Sequence, residues 1–560
     1  MNQNLAFADY AVFIIYFIVV SVYGYTVYRK REKNEHDAKA YFLAEGTLTW
    51  WAIGASLIAS NISAEQFIGM SGEGFFLGVA VAAYEWVAAI ALIIIAIWFI
   101  PVYLKNKIYT MPQFLKTRYN ESTALIMAVF WLFLYVFVNL TSILYLGAVA
   151  INGLAGGEYL HLIMICLALF ALIISLGGMK VVAYTDVIQV AVLIIGGLVT
   201  SYIALTVVAE HFGVSGAIAG FNKLMEQAPE HFKMIIPEPT ANSPQIEVDK
   251  YLTFPGLMSY LAGIWIINLN YWGCNQYITQ RALGADLQTA RTGILFAGFL
   301  KLLMPVIVML PGIAAYVLHQ NGALPQLVGG KDGAYSAMLT FLPTGLKGLS
   351  VAALTAAIVA SLAGKVNSIS TIYTLDVHKK YIQKDATDRA QVNIGRYAVF
   401  AAMLLAVLFT WDDLLGIGGE GGFTFIQKYT GFISPGVFAM FILGMFWKRT
   451  TGTAAIVGVI AGFLLSVLFN EFAPALFGNE TLLYTAYMNG KGIYEIPFHI
   501  CMGLSFMFTM ILMVAISMAG PKVNPKAFEL DTEMFKIKPQ TTVLIVITLL
   551  IIFALYAKFW

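Results

Sequence analysis

The chain has 560 residues, of which 59% are hydrophobic and only 11% are charged. No soluble globular domain has this composition, so the sequence is that of a polytopic membrane protein. The small formal net charge of +2 argues against a nucleic-acid partner. The three cysteines fall in apolar segments at unrelated spacings, which indicates neither a disulfide framework nor a metal site.

Hydropathy divides the chain into about fourteen spans of the length that crosses a bilayer. The first apolar run is long enough to span and lacks the basic start of a signal peptide, so it is interpreted as a membrane helix. The predicted spans are residues 8–28, 48–71, 76–104, 123–152, 160–177, 181–208, 255–279, 289–319, 347–375, 393–411, 423–447, 452–471, 496–518 and 541–559.

Lysine and arginine cluster in alternate loops, for example at residues 29–39, 105–118 and 522–538. Cytoplasmic loops of membrane proteins carry the excess of positive charge. This pattern therefore predicts a multi-pass protein of the cell (inner) membrane with both termini outside.

The second span is predicted to be discontinuous. From Ala59 to Gln66 it reads Ala-Ser-Asn-Ile-Ser-Ala-Glu-Gln, and Gly69, Gly72 and Gly74 follow. Polar groups are costly in hydrocarbon, and irregular backbone at membrane depth is tolerated only where protein buries it or it lines a wet cavity. We interpret this stretch as a broken helix at a solute site, with a polar helix–helix contact as the alternative.

A second polar, glycine-bearing stretch lies five spans later, where residues Asn268 to Tyr277 read Asn-Leu-Asn-Tyr-Trp-Gly-Cys-Asn-Gln-Tyr. Two interrupted spans in corresponding positions of two five-helix halves are typical of an inverted-repeat secondary transporter. The predicted organisation is an extra first helix, two inverted repeats and additional C-terminal helices, at residues 8–28, 48–208, 255–447 and 452–559. A channel would instead repeat a filter by symmetry, and a primary pump would carry a phosphate-binding loop, which the sequence lacks.

Several polar side chains within the spans are candidates for binding a sugar. Glu85 lies between two aromatic residues, and a carboxylate beside a ring suits a pyranose. Lys301 is a lone base in an apolar span and must pair or donate to a ligand. Further donors, acceptors and a stacking face come from Asn268, Tyr271, Trp272 and Gln427. Singly, each is more often a packed helix contact, and Glu85 could instead be an acid near the outer interface.

The sixth and ninth spans carry candidates for a cation site. Asp186 is a carboxylate within the sixth span, which suits a cation or a partner charge. Ser361 and Lys365 are four residues apart in the ninth span and so share a helix face. An enzyme is the least favoured class, because no nucleophile–base pair or metal cluster stands out.

These stretches resemble the sodium/solute symporter family, and within it the bacterial sodium/galactose symporters related to the animal sodium/glucose cotransporters. The resemblance extends from about residue 8 to residue 559 and is carried by residues 54–71, 84–86, 137–141, 185–189, 271–277 and 431–436. It implies an all-α membrane protein of about fourteen helices with a LeuT-type five-plus-five inverted repeat. It also implies sodium-driven uptake of a monosaccharide by alternating access.

The resemblance implies roles for individual residues. Those that would hydrogen-bond the sugar are Gln66, Glu85, Asn268, Lys301 and Gln427, with Asn61 nearby. Tyr271 would stack on the sugar ring. The gate residues would be Met70 and Phe423 on the outer side, with Trp272 beneath. The transported sodium ion would be bound by the backbone carbonyls of Ala59, Ile62 and Ala357 and by the hydroxyl of Ser361.

Two departures from the family pattern concern the cation region. Relatives carry two adjacent serines where this chain reads Ala360-Ser361, and Lys365 occurs in the following turn. We hypothesise that Lys365 pairs with Asp186 near the cation region, where its charge would weaken sodium binding by repulsion. The alternative is that Lys365 extends to a cytoplasmic vestibule.

Several functions therefore stay open. Because of Lys365, transport could be weakly sodium-dependent, proton-coupled or facilitated diffusion. The solute could instead be a polyol or a sugar acid. The chain could also be a membrane sensor that does not transport.

Overall fold

The computed structural model describes residues 6–29, 48–154, 158–324, 327, 330–412, 414, 422–482 and 484–560. The predicted basic loop at residues 29–39 lies outside them beyond Arg29. The described α-helices are Phe7–Arg29, Trp50–Asn61, Ser71–Phe76, Ala83–Ile94, Ile100–Lys105, Met111–Arg118, Glu121–Leu134, Thr141–Leu154, Leu160–Leu176, Met179–His211, Ala217–Gln227, Gln245–Thr253, Gly256–Met258, Ile264–Cys274, Gln276–Leu283, Leu287–Lys301, Met304–Val308, Leu310–Gln320, Ala334–Leu339, Leu346–Thr371, Asp388–Thr410, Gly422–Gly431, Ser434–Phe446, Gly452–Val467, Ala473–Phe477, Phe498–Met518 and Pro539–Phe559.

Shorter helical turns and one hairpin complete the described structure. The π-helical turns are Glu65–Met70, Ile95–Phe99, Tyr135–Leu140, Ser259–Gly263, Ile372–Ile382 and Leu468–Phe472. The 3₁₀ turns are Gly78–Ala82, Pro229–Phe232, Gly330–Gly333, Gly478–Glu480 and Thr532–Phe535. Two antiparallel strands, Tyr487–Met488 and Tyr494–Glu495, pair Tyr487 with Glu495.

In the described residues, ten helices are long and apolar enough to cross a bilayer, or twelve when two bent pairs each count as one span. The bent pairs are Leu287–Lys301 with Met304–Gln320, at 40°, and Phe423–Gly431 with Ser434–Phe446, at 52°. The helix Leu160–Leu176 is apolar but shorter. The all-α, many-span class is thus confirmed, while the count of fourteen, which also includes Leu160–Leu176 and the broken second span, stays a prediction.

Two compact units make up the chain. The first comprises Met1–Val79, Met127–Phe232 and Gln276–Phe425, and the second comprises Ala80–Ile126, Lys233–Asn275 and Ile426–Trp560. Each unit draws on both of the predicted repeats, so the repeats at residues 48–208 and 255–447 stay a prediction.

The helix Leu346–Thr371 forms the centre of the first unit. It packs against Met179–His211, Leu160–Leu176, Trp50–Asn61 and Phe7–Arg29, so almost all of its surface is covered by protein. Its many alanine and serine residues let neighbouring helices approach closely, which is how membrane helices pack tightly. Because protein surrounds it on every side, this helix tolerates polar and charged side chains that lipid would not.

In the second unit the helix Ile264–Cys274 packs against Ala83–Ile94 and Ser434–Phe446. Gly452–Val467 and Phe498–Met518 form another closely packed pair there.

Helix starts in both units follow local sequence. The side chains of Thr110, Asp286, Thr387 and Thr451 each accept a hydrogen bond from the backbone N–H three residues later.

Candidate functional site

The second predicted span is broken as expected. The helix Trp50–Asn61 ends at Ile62, whose backbone is extended at φ −80° and ψ 116°. The N–H of Ser63 then donates to the side-chain oxygen of Gln66 at 2.9 Å, and the N–H of Gln66 donates to the carbonyl of Ser63 at 3.1 Å. In a continuous helix these two N–H groups would bond to the carbonyls of Ala59 and Ile62. The break therefore releases two carbonyls that are predicted sodium ligands.

The sequence itself explains why the chain becomes helical again after the break. Ser63-Ala-Glu-Gln66 has the spacing of a capping box, in which the fourth side chain reaches back to the first backbone N–H. The side-chain oxygen of Gln66 is therefore engaged by Ser63. Any contact of Gln66 with a sugar would come from its amide nitrogen.

Ser361 faces the broken span from the helix Leu346–Thr371. Its hydroxyl donates to the carbonyl of Ser60 at 3.1 Å and accepts from the ammonium of Lys365 at 2.9 Å. Ala357 is buried one turn earlier on the same helix. Of the two residues of this helix that are predicted to bind sodium, Ser361 thus contacts the end of the helix Trp50–Asn61.

Lys365 lies beside Ser361, but the prediction that it pairs with Asp186 is wrong. The ammonium is 3.9 Å from a carboxylate oxygen of Glu65 and 4.7 Å from the centre of the Tyr277 ring. Asp186 instead lies 3.7 Å from the guanidinium of Arg281, and both residues are almost fully buried. Lys365 is only 1% exposed, which contradicts the alternative that it extends to a vestibule.

Arg281 explains why Asp186 does not need the lysine. Its Nε donates to the Ser56 hydroxyl at 2.6 Å, and the same hydroxyl donates to Asp186. Another guanidinium nitrogen donates to the carbonyl of Tyr277. A planar guanidinium with several donors can hold these groups together, which an ammonium with its compact charge does less well.

Sequence reasoning missed Arg281, Tyr277 and Glu65 as members of this cluster. A charge inside a membrane span would have marked Arg281 as functional. The predicted seventh span, however, ended at residue 279, two positions too early. Glu65 was part of the polar stretch and received no role.

Five of the predicted sugar and gate residues lie in the first unit, namely Asn61, Gln66, Met70, Lys301 and Phe423. The ammonium of Lys301 donates to the side-chain oxygen of Asn61, so the structure brings these two together, and both are buried. Phe423 lies directly against Gly69, where a Cβ would come within 2.5 Å of it. Gly69 thus permits the close approach of Phe423 beside Met70.

The other five lie in the second unit, namely Glu85, Asn268, Tyr271, Trp272 and Gln427. Glu85 is buried on the helix Ala83–Ile94. That helix packs against Ile264–Cys274, which carries Asn268, Tyr271 and Trp272. Asn268 is buried and donates to the carbonyl of Ile264 at 2.9 Å. The rings of Tyr271 and Trp272 meet edge to face at 5.2 Å. Each unit holds part of the predicted set, and their roles toward a sugar stay a prediction.

Comparison with known proteins shows to which family the chain belongs. The model of the sodium:solute symporter family matches residues 41–462. The chain belongs to the sodium:solute symporter family. This confirms the resemblance seen in the sequence, and because the family is one of transporters it also confirms that the chain is not an enzyme.

Relatives and one solved structure agree with this symporter's assignment. It is 41% identical to the sodium/glucose cotransporter of Vibrio parahaemolyticus, over 100% of this chain and 99% of the relative. It is 34% identical to the human (Homo sapiens) sodium/myo-inositol cotransporter 2, over 83% of this chain and 70% of the relative. Its fold is similar to the substrate-bound, outward-open structure of a Na⁺-coupled sialic acid symporter, with a TM-score of 0.75 at 20% identity, covering 93% and 99% of the two chains. The structural likeness confirms the LeuT-type fold.

Proposed function

We propose that this symporter couples the inward movement of sodium to the uptake of a monosaccharide such as glucose or galactose. The observation that carries the proposal is the break at Ile62, where the N–H groups of Ser63 and Gln66 do not bond to the carbonyls of Ala59 and Ile62. The hydroxyl of Ser361 lies against the same stretch, since it donates to the carbonyl of Ser60. Hydroxyl and carbonyl oxygens are the ligands that a hard cation requires. The relatives named for sodium/glucose and sodium/myo-inositol cotransport point to a polyhydroxylated ring as the solute.

Sodium would bind to the carbonyls of Ala59, Ile62 and Ala357 and to Ser361, and so connect the broken span to the helix Leu346–Thr371. The sugar hydroxyls would be bound by Asn61, Gln66, Glu85, Asn268, Lys301 and Gln427, with Tyr271 on the ring and Met70, Trp272 and Phe423 as gates. Alternating access would open the bound sugar and sodium to one side of the membrane at a time. Coupling is then a difference in sodium and sugar affinity between the two states, and it is reciprocal.

A polyol such as myo-inositol is the second candidate solute, since a relative at 34% identity is named for it. A cyclic polyol has the same array of hydroxyls as a pyranose and would use the same donors and acceptors. It lacks the ring oxygen, so competition between glucose and myo-inositol separates the two candidates.

Uptake into proteoliposomes tests the proposal. Labelled glucose, galactose and myo-inositol are presented with an inward sodium gradient and then with choline in place of sodium. We expect uptake of one of these solutes to fall at least tenfold in choline. Ser361→Ala should lose most of the sodium-driven uptake, while Ser370→Ala on the same helix should retain it. Equal uptake in sodium and choline would overturn the coupling, and uptake of none of the three would overturn the solute class.

We also propose that the protein lies in the inner membrane with both termini outside, because basic residues concentrate in the alternate loops assigned to the cytoplasm. A phosphatase that folds only outside the cytoplasm, fused after Trp560, should then be active. If the phosphatase were inactive and a fluorescent protein fused at the same position were fluorescent, the C-terminus would lie in the cytoplasm and the proposed orientation would be wrong.

A further inference from the structure

The chain carries its own cation in the region where sodium is proposed to bind. The ammonium of Lys365 donates to the Ser361 hydroxyl at 2.9 Å, and that hydroxyl donates to the carbonyl of Ser60 at 3.1 Å. Lys365 is 1% exposed and Ser361 is fully buried. An ammonium and a sodium ion both seek oxygen lone pairs, so they compete for the same ligand.

We propose that the Lys365 ammonium is a tethered occupant of the cation region, which sodium must displace from Ser361. The inference rests on the proposed function, because Ser361 is a sodium ligand only if sodium is the coupled ion. It makes Lys365 a residue that sets sodium affinity through its charge, without being a ligand itself.

The charges around the region argue for displacement over sharing. Lys365 faces Glu65, while Asp186 faces Arg281, so two cations balance two carboxylates before sodium arrives. A sodium ion on the Ser361 hydroxyl would add an uncompensated charge within a few ångströms of the ammonium. Repulsion between two such charges is strong where little water screens them. Sodium binding and the present position of Lys365 therefore oppose each other.

Glu65 gives the displaced ammonium somewhere to go. At 3.9 Å, the ammonium and the nearest carboxylate oxygen are not in hydrogen-bond contact, so a small movement of the flexible lysine stem would close a direct pair. The Tyr277 ring, 4.7 Å from the ammonium, adds a favourable cation–π contact near its present position. Glu65 begins the turn Glu65–Met70 after the break. Sodium binding would therefore change a contact of the broken span through the movement of Lys365.

Direct sodium binding tests the proposal without any need to know the solute. The purified full-length protein is titrated with ²²Na⁺ in detergent by scintillation proximity. Lys365→Met keeps the length of the side chain and removes its charge, and we expect it to bind sodium at least tenfold more tightly than the wild type. Lys347→Met is the matched control, since Lys347 lies on the same helix about 21 Å from Ser361. It should bind sodium as the wild type does.

A variant of the carboxylate at Glu65 sharpens the test. Glu65→Gln removes the partner of the displaced ammonium, so as a single substitution it should weaken sodium binding severalfold. In the Lys365→Met background the two effects should not add, because the ammonium that Glu65 receives is gone. Lys365→Gln serves in place of Lys365→Met if the latter does not elute as a single species in size exclusion.

The outcomes separate this inference from the proposed function. Unchanged or weaker sodium affinity in well-folded Lys365→Met overturns the inference, while sodium-dependent uptake by the wild type still supports the proposed function. If only the variant binds sodium, Lys365 blocks the site and sodium does not displace it, so the inference and sodium coupling of the wild type both fail. If neither binds sodium, the inference is overturned, and persistent uptake in choline then shows that the proposed function fails as well.

Discussion

Arg118 shows how one buried side chain holds the end of a helix. Its Nε donates to the carbonyl of Gly444 at 2.6 Å, and its two terminal nitrogens donate to the carbonyls of Thr450 and Trp447 at 3.0 and 3.1 Å. These carbonyls lie at and beyond the end of the helix Ser434–Phe446, where backbone acceptors lack helical partners. Burial lowers the pKa of the Arg118 guanidinium, and three charge-assisted hydrogen bonds offset that cost.

We therefore expect Arg118→Met to destabilise the second unit by about 3 kcal/mol, because it removes three charge-assisted hydrogen bonds. The carbonyls of Trp447 and Thr450 keep other donors, namely the Thr450 hydroxyl and the Asn524 amide. Arg118→Lys should recover only part of this loss, since an ammonium lacks the planar fork. Thermal unfolding in detergent measures the effect. Lys116→Met is the control on the same helix, because its exposed ion pair with Glu121 is worth about 0.5 kcal/mol. Equal midpoints for Arg118→Met and Lys116→Met would contradict the argument.

Residue positions were easier to predict than residue partners. The four-residue spacing in the ninth span correctly placed Lys365 beside Ser361, because helix geometry alone decides it. Which of two buried acids pairs with Lys365 depends on the other cation nearby. Arg281 pairs with Asp186, and Lys365 therefore lies closest to Glu65. Such contacts join residues far apart in the chain, and spacing carries no information about them.

The helix Phe7–Arg29 stabilises the start of the helix Leu346–Thr371. Asp9, near the start of Phe7–Arg29, accepts hydrogen bonds from the backbone N–H groups of Gly345 and Gly348 at 2.7 and 2.9 Å. These N–H groups begin the helix Leu346–Thr371, whose N-terminus attracts negative charge. Asp9 is 2% exposed, so the cap is buried. The extra helix thus caps the helix that carries Ser361 and Lys365.

Asp9→Ala should lower the stability of the first unit by about 1–2 kcal/mol, the usual cost of losing an N-cap acceptor. Asp9→Asn keeps the oxygen that accepts from Gly345 and Gly348, but it loses the charge and the second oxygen, which accepts from the N–H of Ala6 at 2.9 Å. We therefore expect a smaller effect than for Asp9→Ala. The measurement is the apparent unfolding midpoint in detergent. The exposed Asp385→Ala provides the control and should leave the midpoint unchanged. If Asp9→Asn were as damaging as Asp9→Ala, the charge or the bond from Ala6, and not the bonds from Gly345 and Gly348, would account for the stabilisation.

Both helix breaks were predictable because polar side chains and glycine interrupt apolar runs, and the structure places extended backbone at Ile62 and Asn275 within those runs. The bends were not predicted. The 40° bend follows Lys301, where Pro305 begins the next turn without a donor N–H. Hydropathy averages over about twenty residues and does not register a bend inside one apolar run.

An ion pair between the buried Glu73 and the partly buried Lys331 connects three segments of the first unit. Glu73, 1% exposed on the helix Ser71–Phe76, accepts from the ammonium of Lys331 at 2.7 Å and from the hydroxyl of Thr424 at 2.5 Å. Lys331 lies in the turn Gly330–Gly333, and Thr424 follows Phe423, which lies against Gly69. The same contacts that pair Glu73 therefore hold Phe423 near Met70. If Met70 and Phe423 are the outer gate, this pair stabilises its closed state.

Lys331→Met would leave the buried Glu73 carboxylate with the Thr424 hydroxyl as its only hydrogen-bond donor among the described residues. Removing the charged partner of a buried carboxylate is costly. The closed arrangement should lose population, so a cysteine at the gate should react faster. In a background with Cys166 replaced by serine, we expect Met70→Cys to react with a water-soluble maleimide at least fivefold faster when Lys331→Met is added. Met70 is fully buried, so labelling reports opening and not surface exposure.

The control for this experiment is Lys223→Met, which breaks an ion pair between Lys223 and Glu226 outside the gate and should not change the labelling rate. Glu73→Gln distinguishes charge from packing. It keeps the shape and an acceptor for Thr424, and it weakens the attraction to Lys331, so its rate should lie between the wild type and Lys331→Met. If none of the three added substitutions changed the labelling rate of Met70→Cys, the Glu73 pair would stabilise the first unit without governing access to Met70.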